Sequence, residues 1–273
     1  MPRVSHIDLD GRRLFHARRG EGEPLLLIQG LSGNHLHWTE PFLDLLARDF
    51  DVVAYDHRGI GRSGPAEAGY SIRDLADDAA AVLDALDIER AHVLGISMGG
   101  MVAQELVLRH PERLRTLALG CTSPGGPRAA RTDPAIISRL SELLLSGRVG
   151  EAMAEGYAYN VSETYARDPG GLERLKAIAA ELPGELPVML AQLQAIAGHD
   201  TLNRLGAIEV PVLVVHGNED RILPVANAHL IADAIEQARL EIVNGVGHLF
   251  WWERPERSAE LVRELAAGVP ATQ

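Results

Sequence analysis

The chain has almost no cysteine. Cys121 stands alone among 273 residues, so no intramolecular disulfide can form, and this usage fits a reducing compartment. Long apolar runs are missing too. No uninterrupted stretch approaches the roughly 20 residues needed to span a bilayer. The opening Met1-Pro2-Arg3-Val4-Ser5-His6-Ile7-Asp8 lacks the apolar centre of a secretory signal, and a cytoplasmic protein is expected. Positive charge is outnumbered, with 26 Lys and Arg against 38 Asp and Glu and a formal net charge of −12. That balance argues against nucleic acid and anionic membrane as partners. The acidic residues are dispersed, as on a solvated surface. There is no internal repeat and no low-complexity tract. What remains is 46% hydrophobic, enough for a substantial core in one large domain or two small ones.

Periodicity supplies the architecture. Val4–Asp8 and Arg13–Ala17 alternate apolar and polar around Asp10-Gly11, a favoured hairpin turn. Pro24–Ile28, Asp51–Tyr55, Ala91–Leu94 and Thr116–Leu119 are continuously apolar, as strands covered on both faces should be. Pro41–Arg48 suits a crossover helix. Ser71 and Asp74 read as a capping box for a helix that buries Ile72, Leu75, Ala79, Val82, Leu83 and Leu86. The pattern breaks after Gly120. Cys121–Arg131 has loop composition, and helical pieces follow at Ala135–Leu145, Gly150–Ala158, Leu172–Glu181 and Val188–Ala197. Strand character resumes at Val210–Val215 and Arg239–Val243, and Pro255–Ala267 makes a closing helix. The expectation is an α/β fold: a mostly parallel eight-stranded sheet flanked by helices, with a helical lid inserted after the sixth strand. The core would comprise residues 1–127 and 201–273, and the lid residues 128–200.

Within this frame Gly95-Ile96-Ser97-Met98-Gly99 is a G-x-S-x-G between a strand and a helix, the pattern of a nucleophile elbow. A serine hydroxyl needs a base within hydrogen-bond reach, and the base needs an orienting acid. In a parallel sheet such groups gather past the strand C-termini. Asp220 follows the penultimate strand and His248 the last, so the chain order is Ser97, Asp220, His248. Glu219 competes for the acid role, and His216 is expected to pack at its strand end. Donors for a developing oxyanion would be the Met98 N–H and, where Gly30 lets the chain turn inward, the Leu31 N–H. Gly30, Trp38, Met98, Leu249 and Trp251 lie near these loops as candidate pocket residues, whereas Trp252 can equally pack under the last helix. Arg128 and Arg131, at the start of the lid, can meet a substrate carboxylate, although solvation is the default for exposed arginines.

Two motifs are set aside. Gly59-Ile60-Gly61-Arg62-Ser63-Gly64 matches a dinucleotide-binding glycine pattern, but no helix opens directly from it and Asp84 falls inside a helix. His35 and His37 lack further ligands at metal spacing. No metal and no cofactor is expected.

Together these segments resemble the α/β-hydrolase superfamily in its small, cofactor-free esterase and lactonase branch. The likeness covers almost the whole chain, from about Asp10 to about Ala266. It rests on Tyr55–Ser63, Gly95–Met101, His110–Leu114, His216–Asp220 and Gly245–His248. The elbow region looks most like 3-oxoadipate enol-lactonases and aclacinomycin-type methylesterases. By that resemblance Ser97 is the nucleophile, His248 the base and Asp220 the acid. Gln29-Gly30 departs from the His-Gly that many members carry at the oxyanion strand end. Ser97, rather than Asp, at the elbow disfavours haloalkane dehalogenases and epoxide hydrolases. The resemblance implies cleavage of a carboxylic ester or lactone of a small, largely apolar substrate. A C–C bond hydrolase, or a ligand-binding protein on the same scaffold, is the alternative.

Overall fold

The computed structural model describes residues 2–9, 11–67 and 69–269. In chain order its elements are β1 (Arg3–Leu9), β2 (Arg12–Arg19), β3 (Glu23–Ile28), α1 (Glu40–Leu46), β4 (Phe50–Tyr55), α2 (Ile72–Ala85), β5 (Ala91–Ile96), α3 (Met98–Arg109) and β6 (Leu114–Gly120). Five helices follow: α4 (Pro134–Leu145), α5 (Val149–Asn160), α6 (Glu163–Ala166), α7 (Pro169–Glu181) and α8 (Leu186–Ala197). The sheet resumes with β7 (Val212–Gly217), α9 (Ala226–Ala234), β8 (Ala238–Val243), α10 (Phe250–Glu253) and α11 (Pro255–Ala267).

The strands form one sheet of order β1-β2-β4-β3-β5-β6-β7-β8. β2 runs antiparallel to both its neighbours, and the other pairings are parallel. Leu9 pairs with Arg12 across the expected two-residue turn. Asp10 of that turn lies outside the described residues, and Gly11 takes φ +88°, which glycine adopts without strain.

The continuous apolar runs are buried because both faces are covered. Every residue of β4, β5, β6 and β7 is buried. Side-chain alternation divides them between two cores. Leu26, Ile28, Val93, Leu117 and Val214 pack with α2, α3 and α9 on one side. Leu25, Leu27, Leu94, Ala118 and Val215 pack with α1, α10 and α11 on the other. The capping box forms as read: Ser71 Oγ accepts the Asp74 N–H at 3.3 Å, and Asp74 Oδ2 accepts the Ser71 N–H at 2.7 Å.

Helices α4–α8 sit between β6 and β7 as a helical insertion, tied back to the core at several points. The Ser32 N–H donates to Gln192 Oε1 at 2.8 Å, and the Leu249 N–H donates to the Asn160 carbonyl at 2.9 Å. Among the described residues, no helix is long and apolar enough to cross a membrane.

Replacing Ser71 with Ala removes the N-terminal cap of α2. Urea unfolding should show a loss of about 1 kcal/mol with no change in the slope of the transition.

Candidate active site

The chain makes a forced turn at Ser97, between β5 and α3. Its backbone stands at φ 53°, ψ −123°, a conformation that L-residues adopt only when surroundings compel it. The compulsion is visible in the neighbouring glycines. A Cβ on Gly95 would strike the Gly99 carbonyl, and one on Gly99 would strike the carbonyl oxygens of Ile28 and Gln29. Helix and strands therefore touch backbone to backbone. The turn is fastened from the end of β6 and the residues just after it: the Ser97 N–H donates to the Gly120 carbonyl at 2.9 Å, and Thr122 Oγ1 donates to the Ser97 carbonyl at 2.6 Å. Ser97 is half-buried, and its hydroxyl carries no hydrogen bond among the described residues.

The loop after β3 closes on the same point. A Cβ on Gly30 would lie 3.0 Å from Ser97 Cβ and 3.4 Å from Ser97 Oγ. Gln29 Oε1 accepts the Gly30 N–H at 3.0 Å, while Gln29 Nε2 is buried without a partner. This is the altered local bonding that Gln29 brings. The N–H groups of Leu31 and Met98 carry no hydrogen bond among the described residues, and Met98 is the first residue of α3. They are free donors, and the positive end of the helix dipole adds to the second.

Past β7 the two candidate acids separate cleanly. Glu219 is exposed and Asp220 is buried. Asp220 Oδ1 accepts the N–H groups of Ile222 at 2.8 Å and Leu223 at 2.9 Å, and Oδ2 accepts His248 Nδ1–H at 2.7 Å. The bond to Nδ1 leaves the far ring nitrogen of His248 as its basic atom. Burial alone would push the Asp220 carboxyl up. The imidazoles of His248 and His216 outweigh burial and hold it well below the usual carboxylate range. His216 does more than pack at its strand end, since its Nε2 lies 3.0 Å from Asp220 Oδ2 and 2.8 Å from the Leu223 carbonyl.

Asp220 and His248 are thus joined, and Ser97 is held beside them on the same edge without a hydrogen bond to either. The edge is continuous, because β5, β6, β7 and β8 are successive neighbours and the Cys121 N–H bonds the Val215 carbonyl at 2.9 Å. Catalytic hydrogen bonds are often open before a substrate is bound.

Three further residues escaped sequence reading. Cys121 brings its sulfur close to the pair: donor atoms of Cys121, Asp220 and His248 lie within 4.8 Å of one another. Burial, and next the charge of Asp220, push the thiol up, so the sulfur stays protonated and is a poor ligand or nucleophile. Thr122 anchors the elbow, as above. Glu253 is buried, with Oε1 accepting the N–H groups of Ser162 at 3.0 Å and Gly247 at 2.8 Å and Oε2 accepting the Ser162 hydroxyl at 2.5 Å. Nothing in the sequence spacing marks Glu253; only its position shortly after His248 hints at it.

The expected pocket needs correction. Trp38 and Trp251 are 0% and 1% exposed and pack at 5.5 Å between ring centroids in the core under α1 and α11. They face no cleft, because the segment His35–Trp38 folds inward as a 3₁₀ turn. Trp252 is core as well. Leu249 is half-buried beside His248. A cavity of about 770 Å³ includes Met101, Ser123 and Leu223 in its wall but none of Ser97, Leu31, Met98 and His248. Met101 is one helical turn from Ser97, and Leu223 bonds Asp220. The two set-aside motifs have structural work: Asp56 accepts the N–H groups of His35 at 2.6 Å and Arg62 at 2.9 Å, so the Gly59–Gly64 loop and the His35 turn are knotted on one carboxylate.

A parallel sheet with a serine on a strained strand-to-helix turn, and a buried acid–histidine pair past its last two strands, defines an α/β hydrolase. The chain belongs to the α/β-hydrolase family, and it is a hydrolase of that fold. Residues 23–142 match the alpha/beta hydrolase fold model. A protein of Azorhizobium caulinodans named as a carbamate hydrolase, RutD, is 32% identical, with 96% of this chain and 97% of that protein covered. Among solved structures, the enol-lactonase of Burkholderia xenovorans is 25% identical with a TM-score of 0.83, covering 96% of this chain and 100% of that one. A thermophilic esterase of Thermogutta terrifontis is 26% identical with a TM-score of 0.82, covering 98% and 100%.

Because the Asp220 carboxyl is depressed in the folded protein, its contribution to stability is complete above about pH 4, its unfolded value. It is lost as pH falls through the lower folded value. Unfolding free energy measured against pH should therefore fall less steeply below pH 4 in Asp220→Asn than in the wild type.

Proposed function

We propose that the chain is a serine hydrolase of carboxylic esters or lactones. Ser97 Oγ attacks the carbonyl carbon as its proton passes to the far nitrogen of His248. Asp220 holds His248 in the required tautomer and stabilises the imidazolium that forms. The carbonyl oxygen, now negative, takes hydrogen bonds from the Leu31 and Met98 N–H groups. His248 returns the proton to the leaving oxygen as the C–O bond breaks, and an acyl group remains on Ser97. Water then attacks the acyl carbon by the same path, its proton moving through His248, and the acid is released with Ser97 restored. Residues 128–200 act as a cap over this site.

The observation that carries this reading is the juxtaposition at Ser97. A strained, unpaired hydroxyl faces Gly30, with two free backbone donors nearby and the 2.7 Å Asp220–His248 bond on the same edge. The names of the relatives give independent support, since an enol-lactonase and an esterase share the fold at 25% and 26% identity. A second reading, cleavage of a carbamate, is favoured by the name of the 32% identical relative. It uses the same attack with nitrogen in place of carbon beside the carbonyl.

Ser97→Ala should lower kcat for p-nitrophenyl esters by roughly 10⁴-fold or more and abolish labelling by a fluorophosphonate probe. Unchanged turnover would overturn the serine mechanism. A panel of matched esters, lactones and carbamates separates the two substrate readings by their kcat/KM.

A further inference from the structure

The cavity beside the elbow is walled mainly by small and apolar side chains, among them Met101, Ile137 and Ile196. Its polar residues are few. His199 is buried, and burial pulls its pKa down to about 4, so at neutral pH it carries no charge. Among the described residues, Arg131 is then the one ionised side chain on the wall. A lone cation is notable in a chain of net charge −12.

Other arginines of this protein are spoken for. Arg109, Arg139, Arg204 and Arg257 each pair with carboxylates. Arg128, three residues before Arg131, bonds Asn203. Arg131 has no hydrogen bond or ion pair among the described residues. The nearest acid in sequence, Asp133, is committed to capping α4, its Oδ1 accepting the Ala135 N–H at 2.8 Å.

The backbone that carries Arg131 is pinned on both sides. Before it, the buried amide of Asn227 makes two bonds to Ala130, each 2.9 Å: Oδ1 accepts the N–H and Nδ2 donates to the carbonyl. After it, Thr132 Oγ1 donates to the Ile222 carbonyl at 2.6 Å. Ile222 in turn donates its N–H to Asp220 Oδ1 at 2.8 Å. A short run of hydrogen bonds therefore indexes Arg131 to the loop that holds Asp220. Arg131 is exposed, among the residues that line the cavity, and a planar guanidinium on a fixed backbone is suited to one partner above others, a carboxylate taken by paired N–H donors.

We infer that Arg131 is the anion-recognising residue of the substrate cavity, and that preferred substrates carry a carboxylate remote from the bond that is cut. This rests on the serine-hydrolase reading for the reaction, and adds to it the substrate class. An apolar body fills the cavity, and the carboxylate end fixes which way the molecule lies.

The test compares two esters of the same length, p-nitrophenyl pentanoate and mono-p-nitrophenyl glutarate, which differ in a terminal methyl or carboxylate. The quantity read is the ratio of their kcat/KM values. Arg131→Ala should shift that ratio about tenfold against the glutarate, Arg131→Glu further, and Arg131→Lys should recover part of it. Arg128→Ala should leave the ratio as in the wild type. An unchanged ratio in Arg131→Ala overturns the proposal. Calorimetric binding of monomethyl glutarate to Ser97→Ala protein reads the same contact without turnover. Binding there that is lost in the Ser97→Ala, Arg131→Ala double variant supports the proposal even should the serine mechanism fail. Binding that survives in the double variant, or is absent from both, overturns it.

Discussion

The structure depends on a contact made almost wholly by backbone. At Gly95 and Gly99 the elbow helix meets strands β3 and β5 through bare backbone, with no space for even a methyl group. That approach fixes the helix against the sheet and holds Ser97 in its strained conformation, with the free Met98 N–H opening α3 beside it. Strain of this kind persists only where surroundings over-determine it, and here Gly120 at the end of β6 and Thr122 just after it supply two hydrogen bonds to do so.

The second organising group is the Asp220 carboxylate. A buried charge is costly unless its lone pairs are filled. Asp220 fills them with two backbone N–H groups and the His248 ring, with His216 alongside. The backbone bonds set the carboxylate plane, and the carboxylate in turn sets the ring. Because Ile222 is also the acceptor for Thr132, the loop leaving β6 is registered against the same group. Fold, acid and cavity wall share one set of bonds.

Much of this was legible in the sequence. Parallel strands buried on both faces declare themselves as unbroken apolar runs, and the Ser71–Asp74 cap and the Gly95–Gly99 turn carry local chemistry that specifies one geometry. The acid and the histidine were found because the fold puts such groups past strand ends. The choice of Asp220 over Glu219 follows from burial, which spacing alone does not reveal. The tryptophans misled. Trp38 and Trp251 sit beside motif loops in the sequence, but large apolar rings are drawn into whatever core lies nearest, and here they pack against each other at a tilt. The short helices α6 and α10 went unseen because one turn has no periodicity to read. Cys121 and Thr122 act through partners more than 20 residues away, and Glu253 through Ser162 as well as the nearby Gly247; single-chain patterns do not encode such distant pairings.

Glu253 carries a further consequence. Its carboxylate binds Ser162 of the insertion and Gly247 of the histidine loop together, and Gly247 is packed so closely on Val161 that a Cβ would clash with its backbone. This side of the insertion is therefore riveted to the loop that carries His248 and cannot swing open as a flap without dislodging it. The cavity is walled by other parts of the insertion, Ile137 of α4 and Ile196 and Ala197 at the end of α8. Anchor and cavity wall thus fall on different segments of the same insertion.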